Sequence, residues 1–257
     1  MDLDLIVYIS PLIGVLTFFI LEKFSLKSYK HGLARTRAIL SLEVMDLVAS
    51  YLLSLFLLVP FAFFLAQFQI FSLSNWQAPR YVSFTLSILL LDFVNYLNHR
   101  LHHKIPLLWR LHRLHHTDKQ VDSLTTFLHH PLELVTTFVV VIFFAVIFDV
   151  PLIALLIYGL ITGIHAGFSH FNRLLPKKVN YFLRTFLVTP NFHHLHHSTD
   201  MKEGNSNFGS IFTIWDYLFG TSQLKNIGDC KEMKFGIANA QDVAKIKTSL
   251  INPFIKG

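Results

Sequence analysis

Histidines are the side chains of this sequence whose number and spacing could do chemistry. The chain has 15 of them, and all except His31 fall between residues 99 and 197. His99 and His103 are four positions apart. Two later sets share a spacing of i, i+3 and i+4; they are His112, His115 and His116, and His193, His196 and His197. Residues three and four apart share a helix face, so each set is expected to project from one face.

Rings grouped in this way indicate a metal site, because neutral imidazole binds Fe, Zn, Cu and Ni. Eight rings exceed the four ligands of a tetrahedral ion, so they imply two metals, or one metal with several bystanders. The competing interpretation treats every ring as an ordinary hydrogen-bonded residue. It fits an isolated histidine better than three sets, because many buried imidazoles without a metal would leave polar atoms unpaired.

The remaining histidines are weighed one by one. His165 and His170 lie near the inner end of an apolar run and could complete the metal shell, although their i, i+5 spacing does not share a helix face. His130, before Pro131, could be a metal ligand, or it could donate a hydrogen bond that orients a ligand. Four others are interpreted as solvent-side, interfacial or loop residues: His31, His102, His129 and His194.

Few carboxylates accompany these histidines. Asp92 lies seven residues before His99, two turns along the same helix face, and Tyr96 lies between them. An acceptor at that position could orient a ligating imidazole, or Asp92 could pair with Arg100 at the membrane edge. Glu133 and Asp216 are candidates for the same orienting role.

The composition shows what kind of protein must position these rings. Hydrophobic residues make up 53% and charged residues 15% of the 257 residues, with 26 Phe, and the mean hydropathy is +0.48. These values exclude an ordinary soluble domain and a disordered chain, and they indicate a membrane protein. A single cysteine, Cys230, excludes an internal disulfide, a cysteine-rich zinc site and a self-contained iron–sulfur cluster.

Five apolar runs predict the fold, an all-α integral membrane bundle of four to five membrane helices with a cytoplasmic, histidine-rich helical cap. The runs cover residues 3–21, 44–68, 82–97, 134–148 and 152–168. The last two are short and could form a hairpin that enters the membrane without crossing it. Acidic residues near the start favour an anchor over a cleaved signal peptide. Gly159, Gly163 and Gly167 form a stripe that would let another helix approach closely.

Basic residues predict the orientation. A cluster follows the first run, namely Lys23, Lys27, Lys30, Arg35 and Arg37, whereas residues 69–81 contain only Arg80. By the positive-inside rule the first of these loops is cytoplasmic, which also places residues 99–130 and those after 168 in the cytoplasm. The net charge of +6 is therefore attributed to topology and anionic lipid rather than to nucleic acid, which is not an expected partner.

The motifs in residues 82–221 resemble the fatty acid hydroxylase/sterol desaturase superfamily. They are an Asp-x-x-x-Tyr-x-x-His-Arg motif from Asp92, a His-Pro-x-Glu motif from His130, the histidine sets, a His-x-Asn motif from His170 and a Trp-Asp-x-x-Phe-Gly-Thr motif from Trp215. His102 and His194 are extra histidines that align with non-ligand positions. Three segments are expected: membrane helices in 1–81, a catalytic domain in 82–221 and a cytoplasmic tail in 222–257.

The resemblance implies a membrane enzyme that holds two non-haem irons and uses O2 to hydroxylate or desaturate a lipid chain or sterol; zinc could replace iron in a purified form. Spacing, position and resemblance together predict these metal ligands: His99, His103, His112, His115, His116, His165, His170, His193, His196 and His197. Asp92, Tyr96 and Glu133 are the expected catalytic residues beside them. No haem-attachment or dinucleotide-binding motif is evident, so electrons are expected from a partner protein of the ferredoxin/reductase or cytochrome type.

Two other classes of function use the same histidines. A membrane metal-binding or metal-transport protein would place polar groups along a path through the bilayer, whereas the histidines of this chain cluster near one face. A metal-dependent lipid hydrolase would activate water without O2, but carboxylate bases beside the sets are scarce. The oligomeric state is not predicted.

Overall fold

The computed structural model describes residues 3–25, 32–225, 233–237 and residue 250. Lys27, Lys30, His31 and Cys230 lie outside the described residues, as does most of the expected tail 222–257. The predictions made for those residues stay predictions.

The described part of the chain is all-α, as predicted. Its helices are α1 (Leu3–Ser25), α2 (Leu33–Leu53), α3 (Val59–Ala66), α4 (Arg80–Lys104), α5 (Pro106–His112), α6 (Pro131–Ile147), α7 (Leu152–Ser169), α8 (Lys177–Leu183), α9 (Pro190–His196), α10 (Met201–Gly204) and α11 (Ile214–Leu218). Short 3₁₀ turns cover His115–Thr117 and Ser123–Phe127. Within the described ranges, β-structure is limited to isolated bridges such as that between Leu187 and Phe212.

Among the residues that the structure describes, three helical stretches are long and apolar enough to cross a membrane. The first runs for 34 residues from Leu33 to Ala66, through α2, a π-helical turn and α3; the others are α4 and α7. Helix α6, with 17 residues, is shorter. Side chains such as Phe63 are 79% exposed, as expected of a surface that faces lipid. The chain is an integral membrane protein of the predicted fold class.

Helix α2 begins well before the predicted run at residue 44, and the early turns have a packing role. Ile39 and Leu42 are fully buried against Leu114, Leu124 and Leu128, which belong to the segment after α5. These turns carry polar residues as well, so hydropathy alone did not detect them. The extra turns join the membrane helix to the histidine-bearing segment.

Buried charges attach the same segment to the first two helices. Arg35 on α2 pairs with Asp118 and, at 2.9 Å, with Asp122. Glu22 on α1 is fully buried and accepts from the Ser123 hydroxyl at 2.7 Å and from the Asn172 backbone N–H at 2.7 Å. Charges buried at this depth need such partners. Neither anchor was predicted from the sequence.

Glycines allow α1 to lie directly on α7, as the small-residue stripe predicted. A Cβ placed on Gly14 would lie 2.6 Å from the Cα of Ile164, and one placed on Gly167 would lie 3.0 Å from the backbone of Gly14. The two helices therefore touch backbone to backbone. Gly14 was not identified from the sequence, because it is the only glycine in its run.

Substitution of Gly14 by Ala should force α1 away from α7, since the added methyl meets backbone that cannot rotate aside. We expect a loss of stability of about 1–3 kcal/mol, the usual effect of overpacking, measured as a lower midpoint of thermal unfolding in detergent. Gly32→Ala is the matched control, because a Cβ there meets nothing within 4 Å. Equal stability of both variants would show that the α1–α7 contact is looser than described.

Candidate metal centre

The histidines gather where three apolar helices end on the same side of the bundle. His99 and His103 lie near the end of α4, His170 caps the end of α7, and Glu133 lies in the first turn of α6. The short helices beside them start at proline: Pro106 opens α5 and Pro190 opens α9. Proline is favoured at a first helical position, because its missing N–H would lack a helical partner there.

The rings form two largely buried groups, within each of which the candidate ligand atoms lie no more than 4.8 Å apart, and a third, smaller group joins His112 and His129 to Glu133. The first cluster consists of His99, His103, His112, His116 and His196. The second cluster consists of His115, His170, His193 and His197. Of the ten histidines predicted as ligands, nine fall in these clusters; His165 does not.

Each later histidine set contributes to both clusters, whereas the spacing predicted one common face. His112 and His116 belong to the first cluster and His115 to the second. The physical reason is that α5 ends at His112 and a 3₁₀ turn begins at His115, so no continuous α-helix carries the set. In α9, His193 joins the second cluster with His197, and His196 joins the first.

The second cluster has the spacing of a coordination shell. The Nε2 atom of His170 lies 3.1 Å from that of His115, 2.9 Å from that of His193 and 3.3 Å from that of His197. Ligands about 2.1 Å from one metal ion are about 3.0–3.4 Å apart in octahedral or tetrahedral geometry. His170 Nδ1 lies 2.9 Å from the Ala166 carbonyl, so it can carry the proton and leave Nε2 with a lone pair.

In the first cluster, ring nitrogens without a hydrogen-bond partner indicate the same convergence on a metal position. The Nε2 atoms of His99, His103 and His196 are buried without any hydrogen-bond partner in the described structure. Nδ1 of His99 lies 3.0 Å from the Phe208 carbonyl, and Nδ1 of His196 lies 2.8 Å from the Ser206 carbonyl. These carbonyls fix the proton on Nδ1, and the orphaned Nε2 atoms are suited to bind a metal.

Burial keeps the rings outside the apolar helices neutral, which is the form that binds metal. Burial lowers the pKa of His170 and of His196 to about 3. It also lowers the pKa of His115 and of His197 well below the usual value, and neighbouring imidazoles add to the effect because two nearby cations repel. The clustered rings therefore present neutral lone pairs to a metal.

Glu133 connects the clusters through His129. Its Oε1 accepts from His112 Nδ1 at 2.6 Å and from His129 Nδ1 at 3.0 Å, whereas Oε2 is buried without a partner. The His129 ring stacks on His115 at 4.4 Å. Burial alone would lower the pKa of His129, but the Glu133 carboxylate raises it. From the sequence, His129 was interpreted as a solvent-side or interfacial residue, although its spacing of four residues from Glu133 could have indicated the contact.

Asp92 and Tyr96 lie behind the first cluster. Asp92 accepts from Tyr158, Trp215 and the backbone N–H groups of Ile211 and Phe212. Among the described residues no histidine donates to it. The Tyr96 hydroxyl lies 3.0 Å from that of Thr221. Both side chains therefore fix the segment 205–221 rather than an imidazole directly.

Asp216 completes this support. It accepts from the backbone N–H groups of Phe208 and Gly209, at 2.8 and 2.7 Å, and from the Thr221 hydroxyl at 2.7 Å. A Cβ on Gly209 would lie 2.9 Å from Asp216 Oδ2, so only glycine fits there. The carboxylate thereby holds the turn whose Phe208 carbonyl faces His99.

The other predicted histidines have separate environments. His102 is bonded at both nitrogens, to the Asn98 carbonyl and to Thr136, in agreement with its non-ligand alignment. His130 caps α6, because its Nδ1 accepts from the Leu132 N–H. His194 is buried against Phe235. His165 lies within α7, with both ring nitrogens buried.

Comparison with known proteins agrees with this geometry. Residues 84–221 match the fatty acid hydroxylase family. The chain is 30% identical over 148 residues to an ornithine lipid hydroxylase of Rhizobium tropici, covering 56% of this chain and 43% of that protein. It is 31% identical over 162 residues to a fatty acid hydroxylase of a Lecanicillium species, covering 57% and 43%, respectively. No solved structure was found to match it.

The match covers more than half of the chain, and the chain therefore belongs to the fatty acid hydroxylase family. A further relative is human alkylglycerol monooxygenase, 26% identical over 155 residues, which cover 59% of this chain and 32% of that protein. The chain thus spans less than half the length of these curated relatives.

Removal of one ligand from each cluster should remove one metal at a time. We expect two metal ions per wild-type chain and about one in His196→Ala and in His115→Ala, measured by elemental analysis of the purified protein. His102→Gln is the matched control, since both nitrogens of His102 bond to the protein, and it should retain two. Full occupancy in both alanine variants would contradict the assignment of the clusters.

Loss of the Asp216 carboxylate should weaken the first cluster without removing a ligand. Asp216→Ala frees the turn at Phe208 and with it the acceptor of His99, so we expect metal affinity at one site to fall about 10–100-fold, measured by competition with a chelator. Glu203→Gln is the control, because Glu203 bonds Ser198 and Lys225 instead. Unchanged affinity in Asp216→Ala would show that the carbonyl does not orient the ring.

Proposed function

We propose that this protein is an O2-dependent di-iron oxidoreductase that hydroxylates, or desaturates, a membrane lipid. The observation that carries the proposal is the pair of histidine clusters at the ends of apolar helices: three Nε2 atoms of the first are buried without a partner, and the four Nε2 atoms of the second converge to within hydrogen-bond distance. Family membership supports the same chemistry. The site residues of the proposal are the nine clustered histidines, together with the carboxylate of Glu133.

A cavity beside the clusters supports a lipid substrate. Its volume is about 240 Å³, many times the space of one water molecule. Rings of both clusters line it, among them His99 and His193, and so do the apolar Leu134 and Ala166. Because α4, α6 and α7 supply most of the lining, an acyl chain could reach the metals from the bilayer.

The relatives support a lipid as the substrate class. Their names describe action on ornithine lipid, on alkylglycerol and on fatty acid. These substrates share long alkyl chains and differ in the polar part. We therefore assign a lipid chain to the cavity, and the relatives do not specify its headgroup.

The donor set fits iron. Neutral imidazoles with a carboxylate nearby suit Fe as well as Zn, and zinc could occupy the site after purification. Two reduced irons, when bound, would reduce O2 and thereby supply the oxidant that attacks an unactivated C–H bond. Hydroxylation balances as RH, O2, two electrons and two protons giving ROH and water.

The protein's own residues hold and isolate that centre. Carbonyl acceptors behind His99, His170 and His196 keep each ring in the tautomer that offers Nε2. Glu133 does the same for His112. We propose that Asp92 and Tyr96 act as positioning residues through the segment 205–221, because among the described residues their hydrogen bonds go to that segment and to Tyr158 rather than to a clustered ring.

We propose that the clusters face the cytoplasm and that the electrons come from a partner protein there, of the ferredoxin/reductase or cytochrome type. The charge pattern around residues 23–37 favours this orientation. For a bacterial chain the membrane would be the cytoplasmic one. Residues 82–221 would form the catalytic domain, and residues 1–81 would supply membrane helices that carry the Glu22 and Arg35 anchors.

Oxidation of lipid extract by the iron-loaded protein tests the proposal. With O2, a reductase and an electron carrier, we expect lipids that gain one oxygen atom or lose two hydrogens, detected by mass spectrometry. His115→Ala should reduce turnover at least 100-fold, because it removes a ligand of the second cluster.

The same assay without O2 separates the other functions. Product formed anaerobically by wild-type protein, as a cleaved lipid, would replace the proposal with hydrolysis. If wild-type protein with two irons, O2 and a competent reductase oxidises no lipid, the oxidoreductase proposal fails. Metal flux into proteoliposomes under these conditions would then favour transport.

A further inference from the structure

One side of the cavity is polar in a way that metal binding does not explain. Asn95 and Asn98 on α4 and Thr137 on α6 line it, and none of the three belongs to a histidine cluster. Asn95 precedes His99 by one helical turn, on the side of the cluster that points into the membrane. A polar residue at membrane depth indicates a function unless the protein itself satisfies it.

The three side chains keep hydrogen-bonding capacity for a ligand. Asn95 Nδ2 donates to the Leu91 carbonyl at 3.0 Å, and Asn98 Nδ2 donates to Thr137 Oγ1 at 2.9 Å. In the described part of the chain, neither amide oxygen accepts a hydrogen bond, and the Thr137 hydroxyl proton has no acceptor. An amide has two donors and one acceptor group, so these interactions leave acceptors and a donor beside the cavity.

The charge of the lining limits what can bind. The residues that line the cavity include no lysine or arginine, and the one carboxylate among them is Glu133. The side chains that line the cavity offer no cation to a phosphate or carboxylate and present one negative group, so only the metal ions at the histidine clusters could balance such an anion, and nothing beside Asn95 and Thr137 would. The lining therefore matches an uncharged group that both donates and accepts hydrogen bonds, such as an alcohol or an amide.

The position of the polar residues relates that group to the metals. Helix α4 rises 1.5 Å per residue, so Asn95 lies about 6 Å along the axis from His99. Asn98 is the immediate neighbour of His99. A lipid group held by these amides would be only a few bonds from the carbon that faces the clusters.

On the basis of the proposed function, we propose that Asn95, Asn98 and Thr137 form a subsite for an uncharged alcohol or amide of the lipid substrate. The subsite places oxidation within a few carbons of that group instead of at the far end of the chain. The anionic part of a lipid headgroup would stay outside the cavity.

A matched pair of lipids tests the subsite without turnover. Hexadecan-1-ol and its methyl ether differ in one hydroxyl donor, so their relative affinity for metal-loaded protein in detergent, measured without O2 by displacement of radiolabelled hexadecanol, reports the hydrogen bond. We expect the alcohol to bind about five- to tenfold tighter, as one or two hydrogen bonds allow. Equal affinity in wild-type protein would overturn the inference.

Variants locate the preference. Thr137→Val and Asn98→Leu should reduce the alcohol to the affinity of the ether, whereas Thr137→Ser keeps the hydroxyl and should keep the preference. Thr162→Val is the control, since Thr162 on α7 bonds the Tyr158 carbonyl of its own helix. Metal content of two ions per chain checks that each variant is folded. If correctly loaded Thr137→Val and Asn98→Leu both retain the preference, the subsite is elsewhere.

Turnover separates this inference from the proposed function. With O2 and electrons, oxygen should enter the first few carbons of hexadecanol, located by fragmentation in the mass spectrometer. Oxidation near the methyl end would refute the subsite and leave the oxidoreductase intact. An alcohol preference that Thr137→Val abolishes, with no oxidation of any lipid, would support the subsite and refute the proposed function.

Discussion

Nine neutral imidazoles direct their nitrogen lone pairs at two small volumes. These lone pairs repel one another unless a metal, or an ordered set of hydrogen-bond acceptors, holds the rings in place. The structure supplies acceptors behind several rings: the Phe208 carbonyl behind His99, the Ser206 carbonyl behind His196 and the Ala166 carbonyl behind His170. Each acceptor fixes the proton on Nδ1 and leaves Nε2 for the metal. The remaining architecture can be understood as the means of keeping those acceptors in place.

Two buried carboxylates stabilise the segment that provides two of these carbonyls. Asp216 binds the backbone N–H groups of Phe208 and Gly209, and Asp92 binds those of Ile211 and Phe212 from α4. A buried carboxylate is costly unless such donors surround it, so removal of the donors would be as harmful as removal of the acid. The metal centre and this segment are therefore mutually dependent.

The membrane helices contribute more than an anchor. Their ends carry histidines from α4 and α7, their apolar sides bound the cavity, and Glu22 and Arg35 hold the segment after α5. Exclusion of water from such a site strengthens its electrostatic interactions and protects a reactive oxidant from side reactions. The polar residues that remain in the cavity are few, and their positions are correspondingly specific.

The sequence by itself determined the all-α membrane fold, because apolar runs are local. It also identified all nine clustered histidines, eight of them by a spacing that is local too. It did not determine which ring joins which cluster: His115 separates from His112 and His116 only because α5 ends and a 3₁₀ turn begins. Tertiary structure alone placed His112 on Glu133, Asp92 on Trp215 and Gly14 on α7, since each contact joins residues distant in the chain. Spacing encodes the face of one helix, whereas a metal centre depends on how several helices meet.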